Sequence, residues 1–295
     1  MRYASAGAFR SALEQRLLTR ARESNIPVAR LRKLVVFDRL IARLLQVAGD
    51  RWILKGAVAL HFRLGARFRT TMDMDLSRQD SEHAATADFL AAQALELDDY
   101  FHFDIQKTAR LAAALEGAAV RYHVSAELAG RLFEEVIVDV GFGDPPVVEP
   151  DLLHGPDLLS FADIEVIEVP ALPLEQHVAE KVHAYSRSYP GGRSSTRVKD
   201  LVDLVLIAAL FAFEAGRLRR ALSATFDARA THPIPASFPP PPPGWGPPYR
   251  KLATEVGLQP DVLAGQREAA SFLDPVLAGQ LADDARWDLV RRSWA

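Results

Sequence analysis

The sequence predicts an α+β protein in which strands and helices are mixed up to about residue 170 and helices predominate after it. Strand-like and helix-like hydrophobic patterns alternate between residues 52 and 169. From residue 174 onward, apolar residues recur at helical spacing. Hydrophobic residues make up 49% and charged residues 25% of the 295, which is typical of a soluble globular chain.

The first part of the chain is predicted from local periodicity. Strands are indicated by period-two alternation, as in 72–76, and helices by apolar residues three and four apart. The predicted elements are helices over 6–24 and 27–48, a strand over 52–54, a helix over 57–64, a strand over 72–76, a helix over 84–97, and strands over 100–107, 119–125, 135–140 and 165–169. These elements predict a mixed sheet flanked by helices.

The second part is predicted to be mainly helical. Apolar stripes indicate one helix from Leu174 to about Tyr185 and another over 201–210. The proline-rich segment 233–248 predicts an extended polyproline II linker, and the residues after it predict two or three short helices. We therefore expect two domains, 1–170 and 171–295.

Composition and charge exclude some functions and leave others open. The chain has no cysteine, which excludes disulfides, zinc–thiolate sites and thiol nucleophiles and fits the cytoplasm. Neither a signal peptide nor a membrane-spanning stretch of about 18 apolar residues is indicated. Residues 1–50 carry a net charge of +6 although the whole chain carries −3. Their arginines could bind a phosphate-rich partner or form the wet faces of amphipathic helices.

Two aspartates in one predicted strand form a candidate metal site. Asp73 and Asp75 are two residues apart, so both side chains project from the same face. A hard cation is the usual partner of such a pair, and Mg²⁺ prefers one or two carboxylates plus water and phosphate oxygens. Asp139 would be a third ligand if its strand lies beside theirs; otherwise it is a solvated strand-end residue. An isolated Asp-x-Asp is also common surface alternation.

The segment before these aspartates predicts a phosphate site. Gly56 lies between a strand and a helix, so the helix would offer backbone N–H groups and its positive dipole end to an anion. A phosphate held there would lie near a metal bound by Asp73 and Asp75.

Four motifs together resemble a known enzyme family. They are Leu54-Lys55-Gly56-Ala57-Val58-Ala59-Leu60, Arg69-Thr70-Thr71-Met72-Asp73-Met74-Asp75-Leu76, Glu180-Lys181, and Arg197-Val198-Lys199-Asp200-Leu201-Val202-Asp203-Leu204. In this order they resemble the DNA polymerase β-like nucleotidyltransferase superfamily, and more narrowly the AbiEii/AbiGii-type toxins of toxin–antitoxin and abortive-infection systems. Ala57 departs from the family's usual Gly or Ser, and the proline-rich segment and C-terminal helices lie outside the match.

The resemblance implies a fold and a set of site residues. It implies a polymerase β-like core with a mixed sheet, catalytic roles for Asp73, Asp75, Lys181 and Asp200, nucleotide binding by Lys55, Gly56, Ala57, Thr71 and Lys181, and metal binding by Asp73, Asp75 and Asp139. From the residues alone, Lys181 could instead be a surface lysine. Asp200 could be a first-turn acid that stabilises a helix dipole, and Asp203 could pair with Arg197, Lys199 or Lys181.

The resemblance also implies a reaction and partners. Two Mg²⁺ ions, with Mn²⁺ as an alternative, would bind an NTP, and the enzyme would transfer NMP to an RNA acceptor, with the tRNA 3′ end favoured, to block translation. A cognate antitoxin is expected, and neither DNA nor a membrane is. Two alternatives stay open: transfer to a small molecule or a protein hydroxyl, and a non-catalytic NTP-binding module.

Overall fold

The computed structural model describes residues 2–24, 26–65, 69, 73–111, 119–142, 147–187 and 197–295. The chain forms two compact units, Met1–Pro145 with Pro150–Leu172, and Pro146–Glu149 with Pro173–Ala295. No helix among the described residues is long and apolar enough to cross a membrane.

The first unit contains a seven-stranded mixed sheet and four of the helices. Its elements are α1 (Ala6–Ser24), α2 (Val28–Ala48), β1 (Ile53–Lys55), α3 (Gly56–Leu64), β2 (Asp73–Arg78), α4 (Glu82–Ala94), β3 (Phe101–Leu111), β4 (Ala119–Leu128), β5 (Arg131–Phe142), β6 (Asp151–His154) and β7 (Glu168–Ala171). The strand order is β3-β4-β5-β2-β1-β7-β6. The pairs β2/β5 and β1/β7 are parallel and the other neighbours are antiparallel, so the predicted mixed sheet is confirmed.

One face of this sheet forms the core of the unit. Met74, Leu76, Val138 and Val140 alternate with polar residues along β2 and β5 and are at most 1% exposed. Helix α2 packs against β5, and α4 packs against β3. Because successive strand residues point to opposite faces, burying the apolar set leaves the polar set on the other face.

The second unit contains the remaining helices of the described chain. They are α5 (Leu174–Ser186), α6 (Val198–Leu210), α7 (Ala215–Arg229), α8 (Gly246–Glu255) and α9 (Val262–Leu277), and they are followed by a hairpin of β8 (Trp287–Asp288) and β9 (Ser293–Trp294). The hairpin corrects the prediction of helices alone after residue 251. Trp287 and Trp294 are directly opposed in it, and the Trp287 indole N–H donates to the Ala208 carbonyl at 2.7 Å. These tertiary contacts override the local pattern.

The proline-rich segment has neither helix nor strand from Pro233 to Trp245, as predicted. Helix α8 already begins at Gly246, because proline is tolerated in the first turn of a helix. Phe238 stacks on Tyr185 with ring centroids 4.3 Å apart, and the Tyr185 hydroxyl donates to the Pro239 carbonyl at 3.0 Å. The segment is therefore packed onto α5.

Candidate active site

A row of four charged residues crosses the polar face of the sheet. Lys55 of β1 is opposite Asp75 of β2, Asp75 is opposite Asp139 of β5, and Asp139 is opposite Arg121 of β4. Directly opposed residues project from the same face, so two cations flank two carboxylates. Asp73 lies two residues before Asp75 and shares this face. Strands β2 and β5 are neighbours, as the prediction of Asp139 as a third metal ligand required; the ligand role itself stays a prediction.

Gly56 brings the backbone against the Asp75 carboxylate. Its φ is +65°, a conformation that side chains disfavour, and a Cβ at this position would lie 1.9 Å from Asp75 Oδ2. Glycine is therefore required both by the turn from β1 into α3 and by the position of Asp75. Ala57, the next residue of α3, is 8% exposed. Thr71 lies outside the described residues.

Lys55 reaches across the sheet on this same face. Its Nζ lies 3.4 Å from the point that a Cβ of Gly141 would occupy, which places the ammonium group over β5. Strand β1 ends at Lys55, so its side chain stands beside the first turn of α3. This position suits the phosphate-binding role predicted for Lys55, which stays a prediction.

Asp139 is engaged by a residue that the sequence reasoning missed. Arg121 Nε donates to Asp139 Oδ1 at 2.8 Å, and Arg121 Nη2 donates to Oδ2 at 2.7 Å. The hydrogen bond to Asp139 raises the pKa of Arg121, and the charges of Asp73 and Asp75 act in the same direction. A sequence pattern could have indicated Arg121 as a site residue, since apolar and polar residues alternate in Val120-Arg121-Tyr122-His123-Val124 and place Arg121 on the polar face of its strand.

Asp73 and Asp75 form a pair of carboxylates that suits a divalent cation. Among the described residues, no group of three or more His, Asp or Glu side chains has metal-site geometry. Asp73 and Asp75 supply hard oxygen ligands on one face, and Mg²⁺ is satisfied by one or two carboxylates when phosphate oxygens and water complete its shell. Gly56 keeps the space beside Asp75 clear of a side chain.

A second ionic cluster lies in the second unit. Lys181 Nζ of α5 is 3.1 Å from Asp200 Oδ1 and 2.6 Å from Asp203 Oδ2, both on α6. Lys181 is 8%, Asp200 7% and Asp203 0% exposed, so Lys181 is not a surface lysine. Of the three partners considered for Asp203, the one seen is Lys181.

Within this cluster, Asp200 keeps an oxygen without a hydrogen bond among the described residues. The atom is Oδ2, and its closest cation is Arg197 Nη1 at 3.9 Å. A buried carboxylate oxygen without a donor is costly, and a bound substrate could supply that donor. The roles of Lys181 and Asp200 in catalysis stay predictions.

Four of the nine arginines in residues 1–50 serve the interior of the first unit. Four are at most 9% exposed: Arg10, Arg30, Arg39 and Arg43. Arg10 donates to three carbonyl groups around the β4–β5 turn, and Arg43 makes a two-point ion pair with Asp99. These four residues therefore neither bind a phosphate-rich partner nor form a solvent-exposed helix face, the two alternatives predicted for the basic segment, because they are buried.

The family model of the nucleotidyl transferase AbiEii toxin of type IV toxin–antitoxin systems matches residues 39–291. The chain belongs to this family, so it is a nucleotidyltransferase of the toxin class.

Two solved structures from Helicobacter pylori are similar to the chain. JHP933 is 14% identical with a TM-score of 0.47, and the match covers 84% of this chain and 93% of JHP933. The other, described only as a candidate nucleotidyltransferase, is 16% identical with a TM-score of 0.43, and the match covers 84% of this chain and 96% of its own. No curated protein matches the sequence.

Proposed function

We propose that this protein is a Mg²⁺-dependent toxin that transfers NMP from an NTP to an RNA hydroxyl at the 3′ end of tRNA. The observation that carries the proposal is the polar sheet face, where Asp73 and Asp75 share one side of β2 and Gly56 brings the start of α3 against Asp75. This arrangement supports a site for a metal–triphosphate complex. The RNA acceptor rests on the motif resemblance.

The residues divide the work of binding and positioning. Asp73 and Asp75 would hold Mg²⁺, and the bound ion would offset the negative charge of the triphosphate. Lys55 and the backbone N–H groups at Gly56 and Ala57, together with Thr71, bind phosphate oxygens.

The motif resemblance supports roles for Lys181 and Asp200 as well. Lys181 binds the triphosphate as a compact cation held by Asp203, and Asp200 acts beside it. The acceptor hydroxyl oxygen forms a bond to the α-phosphorus and releases its proton to solvent, the bond from that phosphorus to the α,β-bridging oxygen breaks, and pyrophosphate leaves with that oxygen. Catalysis then depends mainly on positioning and electrostatics.

The biological consequence would be a block of translation, since a tRNA with an extended or occupied 3′ end cannot be aminoacylated. The reaction would take place in the cytoplasm, where both substrates occur, and a cognate antitoxin would neutralise the toxin. Expression of the protein alone is expected to arrest growth, and expression of Asp73→Ala is not.

The direct test is nucleotide transfer in vitro. The purified protein is incubated with total RNA, Mg²⁺ and each of the four α-³²P-labelled NTPs, and the labelled RNA is resolved by electrophoresis. We expect labelled tRNA, reduced by about 100-fold or more in Asp73→Ala, because the metal supplies several kcal/mol to such reactions.

Asp104→Ala is the matched control for this test. Asp104 is an exposed aspartate of β3 on the same sheet face, and its side chain bonds only to Gln106 among the described residues. Labelled protein or small molecules in place of RNA would redirect the acceptor assignment. Equal labelling by Asp73→Ala and the parent protein would overturn the proposal.

A further inference from the structure

The two hydrogen bonds from Arg121 to Asp139 affect whether the Asp139 carboxylate can bind a metal ion. An arginine fork occupies two of the lone-pair sites of a carboxylate. A divalent cation at the remaining sites would lie within a few ångströms of the guanidinium charge, and the two cations would repel each other. In this structure the charge of Asp139 is already balanced by a cation of the protein.

Arg121 keeps hydrogen-bonding capacity after it has bound Asp139. Of its five N–H donors, Nε–H and one N–H of Nη2 point to Asp139. Among the described residues the other three have no acceptor, and the side chain is 32% exposed. Donors in this fixed planar arrangement match the oxygens of a phosphate group.

The position of Arg121 makes a phosphate its fitting ligand. Arg121 shares its face with Asp73 and Asp75, and their charges act on its guanidinium group. An anion bound by Arg121 would therefore lie beside a metal held by these two aspartates. On the other flank of the carboxylates stands Lys55, so cations border the pair on both sides.

We propose that Arg121, oriented by Asp139, binds the phosphates of the substrate in the place of a second metal ion, so that one divalent cation serves the site. Asp139 is then a positioning residue and not a metal ligand. This inference rests on the proposed function and replaces the two Mg²⁺ ions that the motif resemblance implies with one.

Mn²⁺ binding distinguishes the two assignments of Asp139. Bound Mn²⁺ is counted by electron paramagnetic resonance with the α,β-methylene analogue of each NTP in turn, and the affinity for the analogue is measured by calorimetry. We expect one Mn²⁺ per chain in the parent protein and in Asp139→Asn, with Mn²⁺ affinities equal within about twofold. Asp139→Asn and Arg121→Gln should each weaken analogue binding by about tenfold, as expected for a charge-assisted hydrogen bond.

The double variant tests whether Asp139 acts through Arg121. Arg121→Gln/Asp139→Asn should bind the analogue no more weakly than either single variant, because both remove the same interaction. Asp104→Asn, on the same face, should leave every value unchanged. If Arg121→Gln does not fold, the Mn²⁺ count of the nearly isosteric Asp139→Asn decides the question alone.

Two results would overturn the inference: a second bound Mn²⁺ in the parent protein, or a loss of Mn²⁺ in Asp139→Asn as large as that in Asp75→Asn. Failure of the proposed function has a different signature. In that case Asp73→Asn and Asp75→Asn would leave both Mn²⁺ and analogue binding unchanged.

Discussion

Gly56 has a positive φ and leaves no room for a Cβ beside Asp75, so both its backbone conformation and its packing require glycine. Substitution by alanine should cost about 1–2 kcal/mol of stability for the left-handed conformation and should also displace the Asp75 carboxylate. We expect Gly56→Ala to lose Mn²⁺ binding and nucleotide transfer.

Gly65 provides the matched control for Gly56. It lies just beyond the other end of α3 with φ of +60°, and a Cβ there would meet nothing within 4 Å. Gly65→Ala should show a similar loss of stability by urea unfolding but keep its Mn²⁺ affinity. Equal loss of Mn²⁺ binding in both variants would contradict the role given to Gly56.

His61 makes the stability of the first unit depend on pH. It is 4% exposed, and its Nδ1 lies 3.1 Å from Arg30 Nη2. Burial and the Arg30 charge lower its pKa from 6.5 to about 4. Between these values the unfolded chain binds a proton that the folded chain does not, so stability present above pH 6.5 is lost as the pH falls toward about 4.

The loss should amount to about 3 kcal/mol for the parent protein. In His61→Gln, which retains an acceptor for Arg30, this component should disappear from the pH dependence of urea unfolding. His102→Gln, at an exposed histidine of β3, should behave as the parent protein does. Identical pH profiles for the parent and His61→Gln would refute the explanation.

At the scale of elements, ion pairs of Lys181 connect helices α5 and α6. Its ammonium group on α5 is shared by Asp200 and Asp203 of α6. Lys181→Met would leave two buried carboxylates without that cation, a loss typically of about 3–5 kcal/mol. We expect a lower urea midpoint together with lost transfer activity. Lys251→Met, at an exposed lysine of α8, should change neither, and an unchanged midpoint in Lys181→Met would contradict the structural role.

The proline-rich segment is held by an aromatic anchor. Phe238 is 3% exposed, stacks on Tyr185, and its backbone N–H donates to Asp274 Oδ1 at 2.6 Å. Phe238→Ala should destabilise the second unit by about 3–5 kcal/mol and open the segment to proteases. Ile234→Ala, at a residue that is 38% exposed in the same segment, is the control. Equal protease resistance in the two variants would argue against the anchor.

At the scale of the whole molecule, the chain enters the second unit twice. Residues 147–149 belong to it, and the Val147 N–H donates to Gln176 Oε1 at 2.8 Å. We propose that 171–295 forms a domain, and we expect the fragment 171–295 to unfold cooperatively. The fragment 146–295 should be more stable, because it regains the Val147 hydrogen bond. A fragment 171–295 without cooperative unfolding would contradict the predicted division.

The sequence could predict what depends on neighbours along the chain. Alternation in β2 predicted that Asp73 and Asp75 share a face, and the four ordered motifs predicted the enzyme family, which the family model confirmed. Strand β6 was missed because it is a four-residue edge strand with Leu152 58% exposed, so its hydrophobic signal is weak. The strand predicted over 135–140 lies within β5, which starts earlier, at Arg131, and ends later, at Phe142.

By itself, then, the sequence determined the types of the main elements and the identity of the motif residues, since both are encoded in local spacing. Only the tertiary structure decided which residues meet. Arg121 lies opposite Asp139 because β4 pairs with β5. Arg10 donates to a carbonyl group 118 residues away, and Asp203 pairs with Lys181, one of the three partners considered for it. The physical reason is that strand order and helix packing bring distant residues together, and no periodicity along the chain records those distances.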